Sequence, residues 1–139
     1  MKVFLGGTCN ESAWRERLID MLQIDYFNPV VDDWNEECYL RELKERVLCD
    51  YCLYVITPLM TGVYSIAEVV DDSNKKPEKT LFCILYKDVT LDNTMVSFDE
   101  GQMRSLRRVG TMIENNGGHF FNSLDNVAKF LNEKGRINV

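Results

Sequence analysis

The chain has 139 residues, 45% hydrophobic and 27% charged, which suits one domain spanning 1–139 around one sizeable core. A net charge of −6 with no basic stripe excludes a nucleic-acid polymer as partner, although backbone donors still allow a small anionic ligand. No apolar run approaches the roughly 20 residues of a membrane span, and Met1 to Gly7 is too short an apolar run for a signal peptide, so no membrane contact and a cytoplasmic location are expected.

Lys2 to Leu5 reads as the first strand, closed by Gly6-Gly7-Thr8. Trp14, Leu18 and Met21 then recur at helical spacing, with Asn10 or Ser12 as the cap. Strand, glycine turn and helix is the order that aims backbone N–H groups at a phosphate. The alternative is a turn that needs glycine for its geometry alone. In the first case Gly7→Val blocks a ligand in a protein that still folds.

Ile24 to Val31 reads as the second strand, and Asp32-Asp33-Trp34-Asn35 as a polar turn. Two acids beside an indole suit a sugar or a base, whereas Asp33 or Asn35 alone suits a helix cap. Glu36 to Leu48 is helical, with Leu40, Leu43 and Val47 on one face. Glu37, Arg41, Glu42, Lys44, Glu45 and Arg46 read as a solvated face.

Cys52 to Ile56 is a short, apolar, partly β-branched run, hence a buried third strand that stops at Thr57-Pro58. Gly62 permits a tight turn, and a helix carrying Glu68 follows as far as Asp71 to Pro77. Its apolar stripe is Val63, Ile66, Ala67 and Val70, which places Glu68 nearly opposite the sheet. Thr80 to Tyr86 is the fourth strand, nearly all apolar.

Lys87 to Glu100 has no clear period and reads as a lid or an irregular packing segment. Gln102 to Asn116 is a helix that buries Met103, Leu106, Val109 and Ile113 and ends at Asn115-Asn116-Gly117-Gly118. His119 to Phe121 is the last strand. Asn122 or Ser123 caps a final helix with Leu124, Val127, Ala128 and Leu131 on its face, and the tail from Gly135 is expected to be loose.

Five cysteines, an odd number, read as reduced thiols. Cys49-x-x-Cys52 enters a strand instead of opening a helix, so it lacks the setting that stabilises a redox thiolate. There is no second such pair, and His119 is the only histidine. Neither a metal nor a cofactor is expected, and the thiols read as buried structural groups.

Strands alternating with helices predict an α/β fold: a flavodoxin-like, doubly wound, parallel five-stranded sheet in order 2-1-3-4-5 with helices on both faces. Leu53, Val55, Phe82, Ile84 and Leu85 should be deeply buried. The first and third strands flank the switch point of that order. Gly6-Gly7-Thr8 and Thr57 to Glu68 therefore converge on one crevice, bordered by Asp32-Asp33-Trp34. Glu68 is then either a solvated surface glutamate or a carboxylate carried to a ligand and oriented by Tyr64 four residues earlier.

The segments Phe4-Leu5-Gly6-Gly7-Thr8-Cys9-Asn10-Glu11-Ser12, Phe27-Asn28-Pro29-Val30-Val31-Asp32-Asp33-Trp34 and Gly62-Val63-Tyr64-Ser65-Ile66-Ala67-Glu68 resemble the nucleoside 2-deoxyribosyltransferase-like family, whose relatives include deoxynucleoside-monophosphate N-glycosidases. The resemblance implies a flavodoxin-like fold and a glutamate nucleophile on the helix after the third strand, the position of Glu68. That carboxylate attacks the anomeric carbon, a glycosyl-enzyme forms, and a second base or water accepts the sugar. A free glutamate, with a pKa of about 4.3, is already ionised at neutral pH and needs positioning more than activation.

Transferases of the family carry an aspartate a few residues before the nucleophile, but here Leu59-Met60-Thr61-Gly62 holds no acid. Asp32 or Asp33 is the candidate substitute as proton donor. Gly6, Gly7, Thr8, Trp34, Gly62 and Tyr64 are the candidate substrate-binding residues, and the expected partner is a small nucleoside or nucleotide. A homo-oligomer is implied because active sites in the family are often completed by a neighbouring subunit. Two functions follow: an N-glycosidic-bond enzyme acting by deoxyribosyl transfer or hydrolysis, or a catalytically silent nucleotide- or nucleoside-binding module on the same fold.

Overall fold

The computed structural model describes residues 1–9 and 11–137. In chain order the elements are β1 (Lys2–Gly7), α1 (Trp14–Met21), β2 (Asp25–Phe27), α2 (Glu36–Leu48), β3 (Tyr51–Ile56) and α3 (Tyr64–Lys75). A 3-10 turn (Pro77–Lys79) leads to β4 (Thr80–Ile84), β5 (Lys87–Val89), β6 (Met95–Ser97), α4 (Glu100–Asn115), β7 (His119–Phe121) and α5 (Leu124–Ile137). Five strands form one sheet in the order β2-β1-β3-β4-β7, and every neighbouring pair is parallel. This is the expected flavodoxin-like order, with β7 as the fifth core strand. None of the helices is long and apolar enough to cross a membrane, among the described residues.

Alternation along the strands divides the core into two layers. Val3, Leu5, Leu53, Val55, Leu81 and Cys83 point to one face and pack against Trp14 and Leu18 of α1 and Leu124, Val127, Ala128 and Leu131 of α5. Phe4, Cys52, Tyr54, Ile56, Phe82 and Ile84 point to the other and meet Val69 of α3 and Met103, Leu106 and Ile113 of α4. Leu53, Val55, Phe82 and Ile84 are fully buried, whereas Leu85, just past the end of β4, is only partly so.

The structure corrects several expectations. The second strand is three residues, not eight: Pro29 has no N–H to donate, and the chain leaves the sheet after Phe27. The Lys87 to Glu100 segment is neither featureless nor irregular, because β5 and β6 pair antiparallel as a separate hairpin whose turn holds Asn93 at φ 65°. Asp99 then caps α4, exchanging bonds with Gln102 in a capping box. Asn10 lies outside the described residues. Ser12 is not a cap, since Ala13 holds that position and the Ser12 hydroxyl donates to Asp88 Oδ2 at 2.5 Å. Ser123 does cap α5, accepting from the Asn126 N–H at 3.2 Å. Gly135 belongs to that helix and not to a loose tail; 138–139 lie outside the described residues.

The largest corrections concern α2 and α3. Part of the charged face of α2 turns inward: Glu42, Glu45 and Arg46 are half-buried, whereas Glu37, Arg41 and Lys44 stay exposed, and the apolar stripe faces out, with Leu40 58% and Val47 75% exposed. In α3 the buried residues are Glu68, Val69, Asp72 and Ser73, while Val63, just before the helix, and Ala67 are exposed and Ile66 and Val70 are only partly buried. The inward face is rotated from the apolar stripe because polar partners wait for it. Tyr54 is fully buried on β3, and its hydroxyl donates to Asp72 at 2.6 Å. Arg46 reaches in from α2 and donates to the same carboxylate at 2.7 and 3.2 Å. Satisfied in this way, carboxylates pack where apolar side chains were expected.

Candidate active site

A cavity of about 580 Å³ opens beyond the carboxyl ends of β1 and β3. Neighbouring strands leave the sheet there in opposite directions, which is where open α/β sheets bind ligands. Gly6, Gly7 and Thr8 form one wall and Thr61, Gly62, Tyr64, Ser65 and Glu68 another. Pro29 to Val31 and Trp34 line the mouth from the loop after β2, Glu42 from α2 and Arg15 from α1. Trp34 and Tyr64 are 61% and 64% exposed, so two aromatic surfaces stand open at this cavity.

The glycine wall is built for geometry. Gly7 has φ 115°, and a Cβ there would lie 2.1 Å from the Val55 carbonyl oxygen, inside the β1–β3 ladder. At Gly6 a Cβ would meet the Tyr54 ring at 2.7 Å. The reading in which Gly7→Val spares the fold is therefore overturned: valine at that position breaks the pairing that makes the sheet. The Thr8 N–H donates to Val55 O at 2.9 Å, and its hydroxyl accepts from the Thr57 N–H at 3.0 Å. Arg15 donates to the carbonyls of Leu5, Gly7 and Thr8 at 3.0, 3.3 and 2.7 Å, and the Trp14 indole donates to Thr8 O at 2.6 Å. Three carbonyls thus hold a cation against the wall. Burial still pulls the Arg15 pKa down to about 10.

Glu68 is the buried carboxyl of the cavity, 9% exposed on the second turn of α3. The solvated-surface reading does not hold. Burial pushes its pKa up to about 7; Arg46 opposes the shift, and Glu42 and Asp72 add to it. The expectation of a glutamate fully ionised at neutral pH is corrected accordingly. Arg46 Nη1 stands 3.6 Å from Glu68 Oε2. Glu42 is a second carboxyl on the cavity wall. Burial raises its pKa, with Arg15 and Arg46 pulling the other way. One cavity therefore holds two carboxyls that disfavour being charged together.

The structure brings Gly6, Gly7, Thr8, Trp34, Gly62, Tyr64 and Glu68 to this one cavity. Asp32 and Asp33 are exposed, and neither lines it. Asn35 and not Asp33 caps α2, accepting from the Cys38 N–H at 2.9 Å. The residues missed in the sequence are Arg15, Glu42 and Arg46. Glu42 and Arg46 stand four apart, a pattern shared with any solvated helix surface, and only the inward turn of α2 sets them apart. Cys49 and Cys52 are buried, and burial pushes their thiols up to about 12 and about 11, so neither is a thiolate. Among the described residues no group of histidine, cysteine, aspartate and glutamate is placed to hold a metal.

A family model described as nucleoside 2-deoxyribosyltransferase like matches residues 1–85, more than half of the 139. Every residue lining the cavity lies inside that span. No curated protein and no solved structure matches the chain.

Proposed function

The chain belongs to the nucleoside 2-deoxyribosyltransferase-like family, and from that premise we propose that it cleaves the N-glycosidic bond of a nucleoside or nucleotide, with Glu68 as the nucleophile. The observation that carries this reading is a buried carboxyl, Glu68, opening into the switch-point cavity that a second carboxyl, Glu42, also lines. A Glu68 oxygen attacks C1′ and the C1′–N bond breaks, its electron pair leaving with the base. Glu42 supplies the proton to that base, in place of the absent aspartate. We prefer it to Asp32 and Asp33 because it lines the cavity and they do not. Water or a second base then attacks C1′, Glu42 takes up the proton that the attacking group releases, and Glu68 is freed. The Trp34 and Tyr64 rings offer π-faces on which the base stacks.

Incubation with a panel of nucleosides and nucleoside 5′-monophosphates, with and without an acceptor base, tests the proposal by chromatography of free base. Base release in the wild type, lost in Glu68→Ala, with a sugar adduct on the peptide containing Glu68, supports it. Robust release that survives Glu68→Ala ends it. Ligand binding with no release from any substrate supports the silent binding module instead.

We also propose that a second copy of the chain covers the outward stripe of α2. That stripe, Leu40, Leu43 and Val47, is exposed, and more exposed apolar residues, Val30, Val31 and Trp34, line the cavity mouth. Sedimentation showing a dimer or larger in the wild type and a monomer in Val47→Lys supports this; a monomeric wild type ends it.

A further inference from the structure

We propose that Arg46 is a positioning residue for Glu68, aimed by a clamp that runs from the sheet through Tyr54 and Asp72. This rests on the reading of Glu68 as nucleophile. The guanidinium is planar and rigid, so fixing one edge fixes the direction of the other. Nε and Nη2 grip the two oxygens of Asp72 at 3.2 and 2.7 Å. Nη2 also donates to the Glu68 carbonyl oxygen at 3.3 Å and pairs with Asp71 at 3.3 Å. Nη1 stands 3.6 Å from Glu68 Oε2.

Asp72 is itself immobilised. It is 3% exposed, and the Tyr54 hydroxyl donates to it at 2.6 Å from the buried centre of β3. Order passes from β3 to α3, then to α2, and back to the side chain of Glu68. Lys76 completes the frame by donating to the Arg46 carbonyl at 2.6 Å. Burial opposes the Arg46 charge, but its hydrogen bond to Asp72 and the charges around it outweigh burial and push its pKa up, so the cation is permanent.

The charged and titratable groups about Glu68 are Glu42 and Arg46 of α2, Tyr64, Asp71 and Asp72 of α3, Arg15 of α1, Cys9 before α1 and Tyr54 of β3. Among those acting on the Glu68 carboxyl, Arg46 favours its charged form and has a larger influence than Glu42 or Asp72. The clamp thus does two things. It holds the carboxylate at one place on the cavity wall, and it keeps a useful fraction ionised near neutral pH despite burial.

The test pairs two variants with two readouts. Arg46→Met with Asp72→Asn removes both ends of the Arg46–Asp72 pair, so neither is left charged without the other, and the new amide oxygen still accepts from the Tyr54 hydroxyl. Arg46→Lys keeps the charge but loses the fork. Carbon-detected NMR of the Glu68 carboxyl reads its titration directly, with no need for turnover. It should move up by about half a unit to one unit in the double variant. The acid limb of kcat/KM for base release should move with it. Arg46→Lys should lower kcat about ten- to hundredfold with KM nearly unchanged, because a cation without the fork leaves Glu68 off its line of attack. An unchanged Glu68 titration in the folded double variant, or full kcat in Arg46→Lys, overturns the proposal. Survival of turnover in Glu68→Ala instead overturns the nucleophile reading, and the NMR titration still reports on Arg46.

Discussion

The two faces of the sheet solve burial in different ways. On one, α1 and α5 meet the strands through Trp14, Leu18, Leu124, Val127, Ala128 and Leu131, an interface that is almost wholly apolar. On the other, α4 and Val69 of α3 also pack apolar side chains, but α2 and α3 bring Glu42, Arg46, Glu68, Asp72 and Ser73 in beside Tyr54. The first arrangement gains stability from area removed from water, about 1.5–3 kcal/mol for each large side chain fully buried. The second spends part of that gain on desolvating charges, which hydrogen bonds only partly return. The polar face is also the one that borders the cavity. The difference marks where the proposed chemistry lies: a buried carboxyl is tolerated there because a cation stands beside it, while burial itself shifts its pKa toward neutrality.

Glu68→Ala should lower base release by orders of magnitude, read by chromatography, because the covalent route disappears. On the apolar face, Leu131→Ala should cost about 2–5 kcal/mol in denaturant unfolding. Its kcat per folded molecule should stay at the wild-type value, since Leu131 belongs to the apolar layer and does not line the cavity.

A smaller effect sharpens the contrast through pH. Burial raises Glu68 from its ordinary 4.5 to about 7, so the folded state binds that proton more tightly than the unfolded chain does. The resulting stability is fully present below the unfolded value and is lost as pH rises through about 7. Glu68→Gln mimics the neutral form. It should match the wild type near pH 4 and exceed it at pH 8 by about 3 kcal/mol, measured by unfolding at both pH values. No comparable pH dependence should come from Leu131→Ala.

The smallest stability change is expected at Gly62, where a Cβ meets nothing within 4 Å and which lines the cavity. Gly62→Val should shift stability within about 0.5 kcal/mol, as at an ordinary surface site, while lowering ligand affinity in a calorimetric titration. A large loss of stability would show that the cavity wall depends on glycine at this position after all.

Much of the architecture was legible along the chain because period and burial agree wherever a helix or strand is buried among apolar neighbours. The α5 stripe, the α4 stripe apart from the half-buried Val109, and the runs in β3 and β4 all bury the residues that simple periodicity picks out. Parallel order followed from alternation and right-handed crossovers. The cavity followed as well, because a switch point is a property of strand order, and with it came Gly6, Gly7, Thr8, Gly62 and Glu68 as its wall.

Tertiary structure alone decided the rest. Whether the glycine turn served a ligand or the ladder depended on Val55, far along the chain, whose carbonyl leaves no room for a Cβ at Gly7. Whether Glu68 was solvated or buried depended on which way α3 rolled, and that roll is set by Tyr54 and Arg46 pairing with Asp72. The charges of α2 carry the same local pattern whether they face water or protein, so Glu42 could not be told from Glu37 by spacing. A period reports which residues share a face. It does not report what waits opposite that face, and for a polar side chain the partner opposite decides whether it can be buried.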